Sequence, residues 1–213
     1  SLRPFTGARV ARDVVRGQYE GYLDAHGVAK GSSTETYVGI RALVDNWRWS
    51  GVPFLLRTGK AMSGRFTEVV LRFRTPPFDL LNGPTPDDVC PLRPNDLRLM
   101  IQPEEGLQLG FLVKQPGPGM IMRHAELGFD YKQLGGKATP EAYQRLLLDA
   151  LNGQATLFIR GDEVEAAWAF VDGIRAGWQE VNPPLHPYAV GSPGPTASLE
   201  LFHGCEGTWS PGP

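Results

Sequence analysis

The segment between positions 52 and 65 holds the residues of this sequence whose types and spacing best suit anion binding. An apolar stretch ends at Gly59, and three cations, Arg57, Lys60 and Arg65, lie within nine positions. The glycine allows the backbone to approach a ligand closely. Lysine adds a compact charge and arginine a planar fork of donors, and together they suit a phosphate dianion. By spacing alone, solvated turn residues remain the simpler interpretation.

Gln102 is a second candidate for ligand binding. It ends a stretch of alternating apolar and polar residues and directly precedes Pro103. Its amide offers donors and an acceptor, so it can hydrogen-bond a sugar hydroxyl. A glutamine at the end of a strand more often bonds nearby backbone, and this ordinary structural role stays open beside the functional one.

Other common binding and catalytic motifs are absent from the sequence. The two Gly-Lys pairs lack the upstream glycine of a P-loop, and no G-x-G-x-x-G follows a predicted strand. Cys90 and Cys205 are too far apart to form a C-x-x-C motif, and the four histidines lack metal-ligand spacing. We therefore expect two free thiols, no metal site and no nucleophilic catalysis.

The composition excludes several classes of partner. A net charge of −2 argues against a nucleic-acid surface built on bulk positive charge. No apolar run approaches the roughly 20 residues that span a membrane. No signal-peptide pattern is present near the first residues. These features predict a cytoplasmic protein that binds neither nucleic acid nor membrane.

The hydrophobic patterns predict the elements that must position the candidate residues. Phe54-Leu55-Leu56, after the break at Gly51-Val52-Pro53, predicts one strand, and alternating residues predict four more near 69, 97, 107 and 127. Helical spacing predicts one helix that starts at Ser33 or Thr34, one that starts at Thr139-Pro140-Glu141 and ends at Gly153, and one capped by Asp162. The first of these includes Tyr37, Ile40, Val44 and Trp47.

The order of these elements predicts the fold class. Consecutive strands joined by short turns, with no helix between them, pair antiparallel. We therefore expect an α+β fold: a large, predominantly antiparallel sheet with helices packed on one face. We interpret residues 1–213 as a single domain, with an extended lead-in over 1–31 and a Pro- and Gly-rich tail over 181–213.

Several short motifs occur in the same order as in a known enzyme family. They are Arg16-Gly17-Gln18-Tyr19, Val52-Pro53-Phe54 through Arg57-Thr58-Gly59-Lys60, Ile101-Gln102-Pro103, Pro140-Glu141-Ala142-Tyr143, Asp162-Glu163 with Ala167-Trp168, and Tyr188 followed by Gly191-Ser192 and Gly194-Pro195. With these motifs the chain resembles the C-terminal domain of glucose-6-phosphate dehydrogenase. The resemblance runs in register from about residue 2 to Trp209.

The resemblance implies an activity and an assembly. The family takes a hydride from C1 of glucose 6-phosphate and passes it to NADP, which yields 6-phosphogluconolactone at the entry to the pentose phosphate pathway. The resemblance also implies a homodimer or homotetramer that forms through the sheet. Both statements are expectations taken from the family.

The resemblance also implies roles for individual residues. Lys60 and Arg65 match the cationic substrate-binding positions of the family on this turn, and Gln102 matches a position beside the substrate in some members. Arg57, in the same segment, is a candidate for contact with the cofactor. The resemblance thus favours the phosphate-binding interpretation of the turn over the solvated one.

Some parts of the family pattern do not occur in this sequence. The Rossmann domain and the Arg-Ile-Asp-His-Tyr segment are missing, and none of the histidines matches the catalytic base. We therefore expect no catalytic residue in this chain and no activity when it is alone. The alternative is a stand-alone, non-catalytic module for dimerisation or anion binding.

The cofactor expectation has two parts. The complete enzyme would use NADP, whereas this chain is expected to bind none. Some family members hold a structural NADP with basic residues, and Phe66, Val70 and Met100 stand at those positions here. Without these cations, the phosphates of the nucleotide would lack partners.

Overall fold

A computed structural model describes residues 2–74, 94–118, 121–131, 142–203 and 207–212. The helices are α1 (Gly7–Asp13), α2 (Ala142–Leu151) and α3 (Gly161–Val181), and the strands are β1 (Val14–Tyr19), β2 (Tyr37–Leu43), β3 (Pro53–Gly59), β4 (Thr67–Arg72), β5 (Asp96–Gln102), β6 (Gly106–Lys114), β7 (Met122–Asp130) and β8 (Leu185–Tyr188). They form two compact units, Ser1–Gly64 with Pro140–His203 and Arg65–Thr139 with Gly204–Pro213.

The first unit contains a four-stranded sheet in the order β3-β2-β1-β8. The β1–β2 and β2–β3 pairs are antiparallel, whereas β8 pairs with β1 in parallel. The parallel pairing is possible because the two strands are separated by most of the chain, including two helices. It brings Tyr188 opposite Tyr19.

Helices α1 and α3 cover one face of this sheet. The core between them is formed by apolar side chains from both helices and from β1 and β2, namely Val10, Val14, Ile40, Ala42 and Ile174. The helices approach closely at Gly177, where a Cβ atom would lie 2.4 Å from Cγ2 of Val10. Burial of this apolar surface supplies most of the stabilisation of the unit.

A short 3-10 helix at Thr196–Leu201 covers the opposite face of the same sheet. Leu201 is 1% exposed and lies against Gly39 of β2. The tail over 181–213 therefore contributes β8 and this helix to the first unit, in addition to its Pro- and Gly-rich turns. The prolines and glycines mark the turns between these elements.

The second unit contains an antiparallel four-stranded sheet in the order β4-β5-β6-β7. Its strands carry rows of apolar residues across one face; one row is Val69, Leu99, Leu107 and Phe129, and the next is Leu71, Leu97, Leu109 and Leu127. The other face carries charged residues, including the Glu68–Arg98 pair at 3.6 Å. Much of the apolar face is exposed in this chain, with Leu127 at 65%.

The α+β fold class and its predominantly antiparallel pairing are confirmed. The strands predicted at 69, 97, 107 and 127 correspond to β4, β5, β6 and β7, and the stretch at 54 lies in β3. Among the described residues the strands are divided between two sheets. Two compact units can belong to one structural domain, so the single-domain interpretation stays a prediction.

Two predictions for the first 50 residues are wrong. The region interpreted as an extended lead-in contains α1 and β1, and the segment predicted as the first helix is β2. Strand β2 is covered on both faces and carries apolar residues on both, so residues such as Tyr37 and Ile40 imitate helical spacing. Trp47, assigned to the same helix, is 89% exposed in the following turn.

The predicted C-terminal helices are present with one different boundary. The proposed start of α2 at Thr139–Glu141 lies outside the described residues, and Gly153 follows its end with a φ of 67°. The N-cap of α3 is Arg160, and Asp162 lies in its first turn, so the prediction that Asp162 caps the helix is wrong. Its carboxylate instead pairs with the Arg160 guanidinium at 2.6 Å. Cys90 and Cys205 lie outside the described residues.

Candidate phosphate-binding turn

The turn that carries Lys60 starts where β3 ends, and we call residues 59–64 the Lys60 turn. The Lys60 backbone N–H donates to the carbonyl oxygen of Thr36 at 2.8 Å. Ala61 then adopts a φ of 51°, in the left-handed region. A non-glycine residue in this conformation is uncommon and requires support from surrounding contacts.

Gly59 leaves room for this turn to pack tightly. A Cβ atom at this position would lie 2.7 Å from Sδ of Met62 and 2.9 Å from Cδ2 of Tyr37. Any larger residue would therefore displace one of these side chains. The requirement for glycine here is a packing requirement, since Gly59 is not among the glycines with positive φ.

The hydroxyl of Tyr188 lies between the Lys60 turn and the segment that precedes β2. It is 2.8 Å from the carbonyl oxygen of Lys60 and 3.0 Å from that of Thr36. A further hydrogen bond of 2.9 Å joins it to Oγ1 of Thr36. Tyr188 is 4% exposed, so water does not compete effectively for these groups.

Two backbone hydrogen bonds extend the same contact. The N–H of Gly191 donates to the carbonyl of Ala61 at 2.8 Å, and the N–H of Ser63 donates to the carbonyl of Ser192 at 3.0 Å. The segment 188–192 therefore holds the Lys60 turn at several successive residues. This support explains how Ala61 keeps its left-handed conformation.

The side chain of Lys60 is exposed. It makes no ion pair or hydrogen bond with the described residues of the first unit. When an anion binds, an ammonium on a backbone held in this way loses less conformational freedom than an ammonium on a mobile loop does. The arrangement can bind an anion such as a phosphate group.

Arg65 and Gln102 belong to the second unit. Arg65 is exposed and precedes β4 by two positions. Gln102 ends β5, and its Nε2 donates to Oγ1 of Thr67 at 2.7 Å. The ordinary structural role considered for Gln102 is therefore partly realised, although its partner is a side-chain hydroxyl.

Arg57 lies on β3 and is half-buried. Its Nη1 donates to the carbonyl oxygen of Pro193 at 3.2 Å. This contact links the strand that leads into the Lys60 turn to the segment after Tyr188. It gives Arg57 a structural role, and its contact with a cofactor stays a prediction.

The part of the chain that the structure describes offers neither a metal site nor a membrane-spanning helix. No group of three His, Cys, Asp or Glu residues there could hold a metal ion. Among the same residues, no helix has the length and apolar character needed to cross a membrane.

Comparison with known proteins decides the family. A family model described as "Glucose-6-phosphate dehydrogenase, C-terminal domain" matches residues 1–210. The chain belongs to this family. The resemblance carried by the sequence motifs is thus confirmed, and the Lys60 turn is part of a glucose-6-phosphate dehydrogenase C-terminal domain.

Individual relatives agree with this assignment. The glucose-6-phosphate 1-dehydrogenases of Rhizobium meliloti and Aggregatibacter actinomycetemcomitans are 37% and 41% identical to the chain, over 99% and 94% of its length. The chain spans 44% and 41% of these two proteins. It therefore covers less than half of each relative.

Solved structures of the family have the same fold. The glucose-6-phosphate 1-dehydrogenase of Mycobacterium avium matches with a TM-score of 0.77 and 34% identity, over 99% of this chain and 42% of that one. A glucose-6-phosphate dehydrogenase in complex with its substrate glucose-6-phosphate matches with a TM-score of 0.79 and 28% identity, over 98% and 43%.

Two residues of this family domain support the turn without having been singled out as functional from the sequence. The sequence shows Tyr188 as part of a motif without indicating its role, and it gives no signal at Thr36. Their contacts join positions 152 residues apart, which spacing along the chain cannot reveal. The motif around Tyr188 was the available signal.

The tyrosines beside the turn differ from ordinary tyrosines in their ionisation. Burial raises the pKa of Tyr188 above its usual value, and burial likewise raises the pKa of Tyr37. Tyr37 is 1% exposed, and its ring packs edge-on against that of Tyr188 with centroids 5.7 Å apart. Both phenols therefore stay protonated in the folded domain at pH values at which an exposed tyrosine ionises.

These raised pKa values predict alkaline instability. The contribution of both phenols to the free energy of unfolding is complete below about pH 10, the usual tyrosine pKa, and falls as the pH rises above it. We expect the urea midpoint to decrease between about pH 8 and about pH 11 by more in the wild type than in Tyr37→Phe. An equal decrease in both proteins would contradict the prediction.

Proposed function

We propose that this chain is the substrate-binding and subunit-contact domain of an NADP-dependent glucose-6-phosphate dehydrogenase. The observation that carries the proposal is the Lys60 turn, which presents an exposed ammonium from a backbone held by Tyr188. In the complete enzyme the C1 hydroxyl of glucose 6-phosphate is oxidised, and 6-phosphogluconolactone is formed. NADP supplies the hydride acceptor of this reaction.

The residues of this chain bind and orient the sugar phosphate. Lys60 contributes a point charge to the phosphate, and Arg65 contributes a fork of donors. Gln102 provides an amide for a sugar hydroxyl. Arg57 is the candidate for contact with the cofactor. The support for these roles is the exposure of Lys60, Arg65 and Gln102 together with the match to the family motif.

The catalytic base is proposed to come from another part of the complete enzyme. Removing the C1 hydroxyl proton requires a base within hydrogen-bond reach of it, and no histidine of this chain matches the base of the family. The apolar surface of α2 supports the proposal that a neighbouring domain covers it, since Tyr143 is 78% and Leu151 86% exposed. Such a surface is typical of a region that another domain covers.

The described residues at the positions implied for a structural NADP do not suit its phosphates. Phe66 lies against Gly212, and Val70 and Met100 are half-buried apolar residues. On the charged face of the second sheet, Arg98 is paired with Glu68, and Arg72 donates a hydrogen bond to the Thr208 carbonyl. At these positions the described side chains offer apolar groups or cations that are already paired, so we propose that NADP binds elsewhere in the complete enzyme.

The proposed partner of the second sheet is another copy of the chain. Its apolar face exposes rows of side chains, among them Val69, Leu127 and Phe129 at 45%, 65% and 37%. Contiguous apolar patches of this kind mark protein interfaces. We therefore propose a homodimer or homotetramer. We also propose that the complete enzyme lies in the cytoplasm and has no nucleic-acid or membrane partner. Nothing in the comparisons favours a stand-alone, non-catalytic module.

The proposal is tested by assaying the complete enzyme for NADP reduction. We expect saturable reduction with glucose 6-phosphate and none with glucose at the same concentration, because glucose lacks the phosphate that Lys60 and Arg65 bind. A parallel calorimetric titration of this chain with NADP is expected to give no saturable heat at micromolar concentration. Equal activity with glucose would contradict the phosphate-binding role, and stoichiometric NADP binding would contradict the cofactor proposal.

A further inference from the structure

The hydroxyl of Tyr188 is the side-chain group that contacts the backbone of the Lys60 turn at Lys60 itself. Its single proton faces the Lys60 carbonyl at 2.8 Å and the Thr36 carbonyl at 3.0 Å, and the Oγ1 hydroxyl of Thr36, at 2.9 Å, can donate to its oxygen. The other groups in this cluster have additional partners. The Thr36 carbonyl accepts the Lys60 N–H at 2.8 Å, and Oγ1 of Thr36 accepts the Tyr19 N–H at 3.0 Å.

The carbonyl of Lys60 differs from these groups in its hydrogen bonding. Among the hydrogen bonds of the described residues, the Tyr188 hydroxyl is the group that donates to it. Removing this hydroxyl would leave the carbonyl as the unpaired member of a partly buried cluster, and an unpaired polar group there is unfavourable. The loss would therefore act mainly on Lys60.

The backbone of Lys60 is held on both sides. Its N–H bonds Thr36, and its carbonyl bonds Tyr188. These contacts fix the two peptide planes that flank the Lys60 Cα and hence the direction in which its side chain leaves the turn. With the carbonyl released, the left-handed residue Ala61 loses part of the support that keeps its φ at 51°.

We propose that Tyr188 is a positioning residue for glucose 6-phosphate: its hydroxyl holds Lys60 in the backbone conformation from which the ammonium binds the phosphate. This inference rests on the function proposed above. Tyr188 acts through the Lys60 backbone and need not contact the substrate. The binding site of the complete enzyme thus depends on a hydroxyl that lies 128 residues from the lysine along the chain.

The test is Tyr188→Phe in the complete enzyme, which removes one oxygen and keeps the ring contacts with Tyr37 and Tyr19. We expect the KM for glucose 6-phosphate to rise about fivefold with kcat within about twofold, because a binding contact is misplaced. Hydrogen exchange should accelerate in the peptide covering 57–63 and remain unchanged in α3. Unchanged exchange in α3 shows that the variant is folded.

The matched control is Tyr22→Phe. The Tyr22 ring packs against Tyr19 with centroids 5.4 Å apart, but its hydroxyl has no hydrogen-bond partner among the described residues of its unit. We expect both KM and exchange to equal those of the wild type. An equal rise in KM in Tyr22→Phe would overturn the specific role of the Tyr188 hydroxyl.

The comparison with Lys60→Ala separates the two proposals. If Lys60→Ala raises KM whereas Tyr188→Phe changes neither KM nor exchange, the positioning role is overturned and the proposed function stands. If Lys60→Ala leaves KM unchanged, the phosphate-binding role of the turn is overturned, and the inference about Tyr188 with it.

Discussion

Lys60→Ala is expected to raise the KM for glucose 6-phosphate in the complete enzyme by about tenfold or more. The estimate follows from the loss of one charge-assisted contact between the Lys60 ammonium and the phosphate. Alanine keeps the backbone hydrogen bonds of Lys60 to Thr36 and Tyr188, so the turn itself should persist. Steady-state kinetics with glucose 6-phosphate as the varied substrate measure the effect.

The control for this variant is Lys30→Ala. Lys30 is also exposed and lies outside the Lys60 turn. The Lys30→Ala variant should leave KM unchanged, and its comparison with Lys60→Ala excludes a general effect of net charge on substrate binding. Wild-type values of both KM and kcat in Lys60→Ala would show that the turn does not bind the phosphate.

Asp13→Asn is expected to destabilise the first unit by about 2–4 kcal/mol, as when one partner of a buried ion pair is removed. Asp13 is 2% exposed and accepts hydrogen bonds from Arg12 at 2.8 Å and from Arg9 at 3.2 Å. The Arg9 side chain is 15% exposed, so its charge would remain in a mostly buried place without a carboxylate. Urea denaturation of the chain at neutral pH measures the loss.

The effect of Asp13→Asn should depend on pH. Burial alone would raise the pKa of Asp13, but the hydrogen bonds and charges of Arg12 and Arg9 outweigh it and hold this pKa below its usual value. The carboxylate therefore stabilises the fold above the usual pKa of about 4, and this contribution is lost as the pH falls through the lowered value. The difference between wild type and variant should narrow toward about pH 3.

Asp45→Asn is the matched control for the buried pair. Asp45 is held by Arg3 in a similar two-oxygen contact, the shortest at 2.7 Å, but the two side chains are 49% and 50% exposed. Water solvates both charges in the wild type and continues to solvate Arg3 after the substitution, so the loss should be much smaller than for Asp13→Asn. Equal losses in the two variants would contradict the role assigned to burial.

The strands of the second unit could be predicted because one face of each is apolar and the other polar. This alternation, seen in Val69 to Phe73 and in Leu107 to Val113, reports a strand with two different environments. Strand β2 could not be predicted in the same way. It is covered on one face by α1 and α3 and on the other by the 3-10 helix, so its apolar residues follow no period of two.

The candidate site likewise has features that the sequence could predict and features that it could not. Lys60 and Arg65 were recognisable because cations beside glycine at the end of an apolar stretch are local features, and the family motif points to the same residues. The contact of Gln102 with Thr67 was not recognisable, because it depends on the register of β4 against β5. Register joins residues that are far apart along the chain.

The sequence by itself determined the family, the alternation of the second sheet and the identity of the exposed cations, because each of these is encoded in neighbouring residues. Only the tertiary structure decided how the Lys60 turn is held. Strand β8 lies beside β1 although most of the chain separates the two strands, and this parallel pairing brings the Tyr188 hydroxyl to the Lys60 carbonyl. A hydrogen bond between groups so distant in sequence arises from strand pairing, and no local pattern carries it.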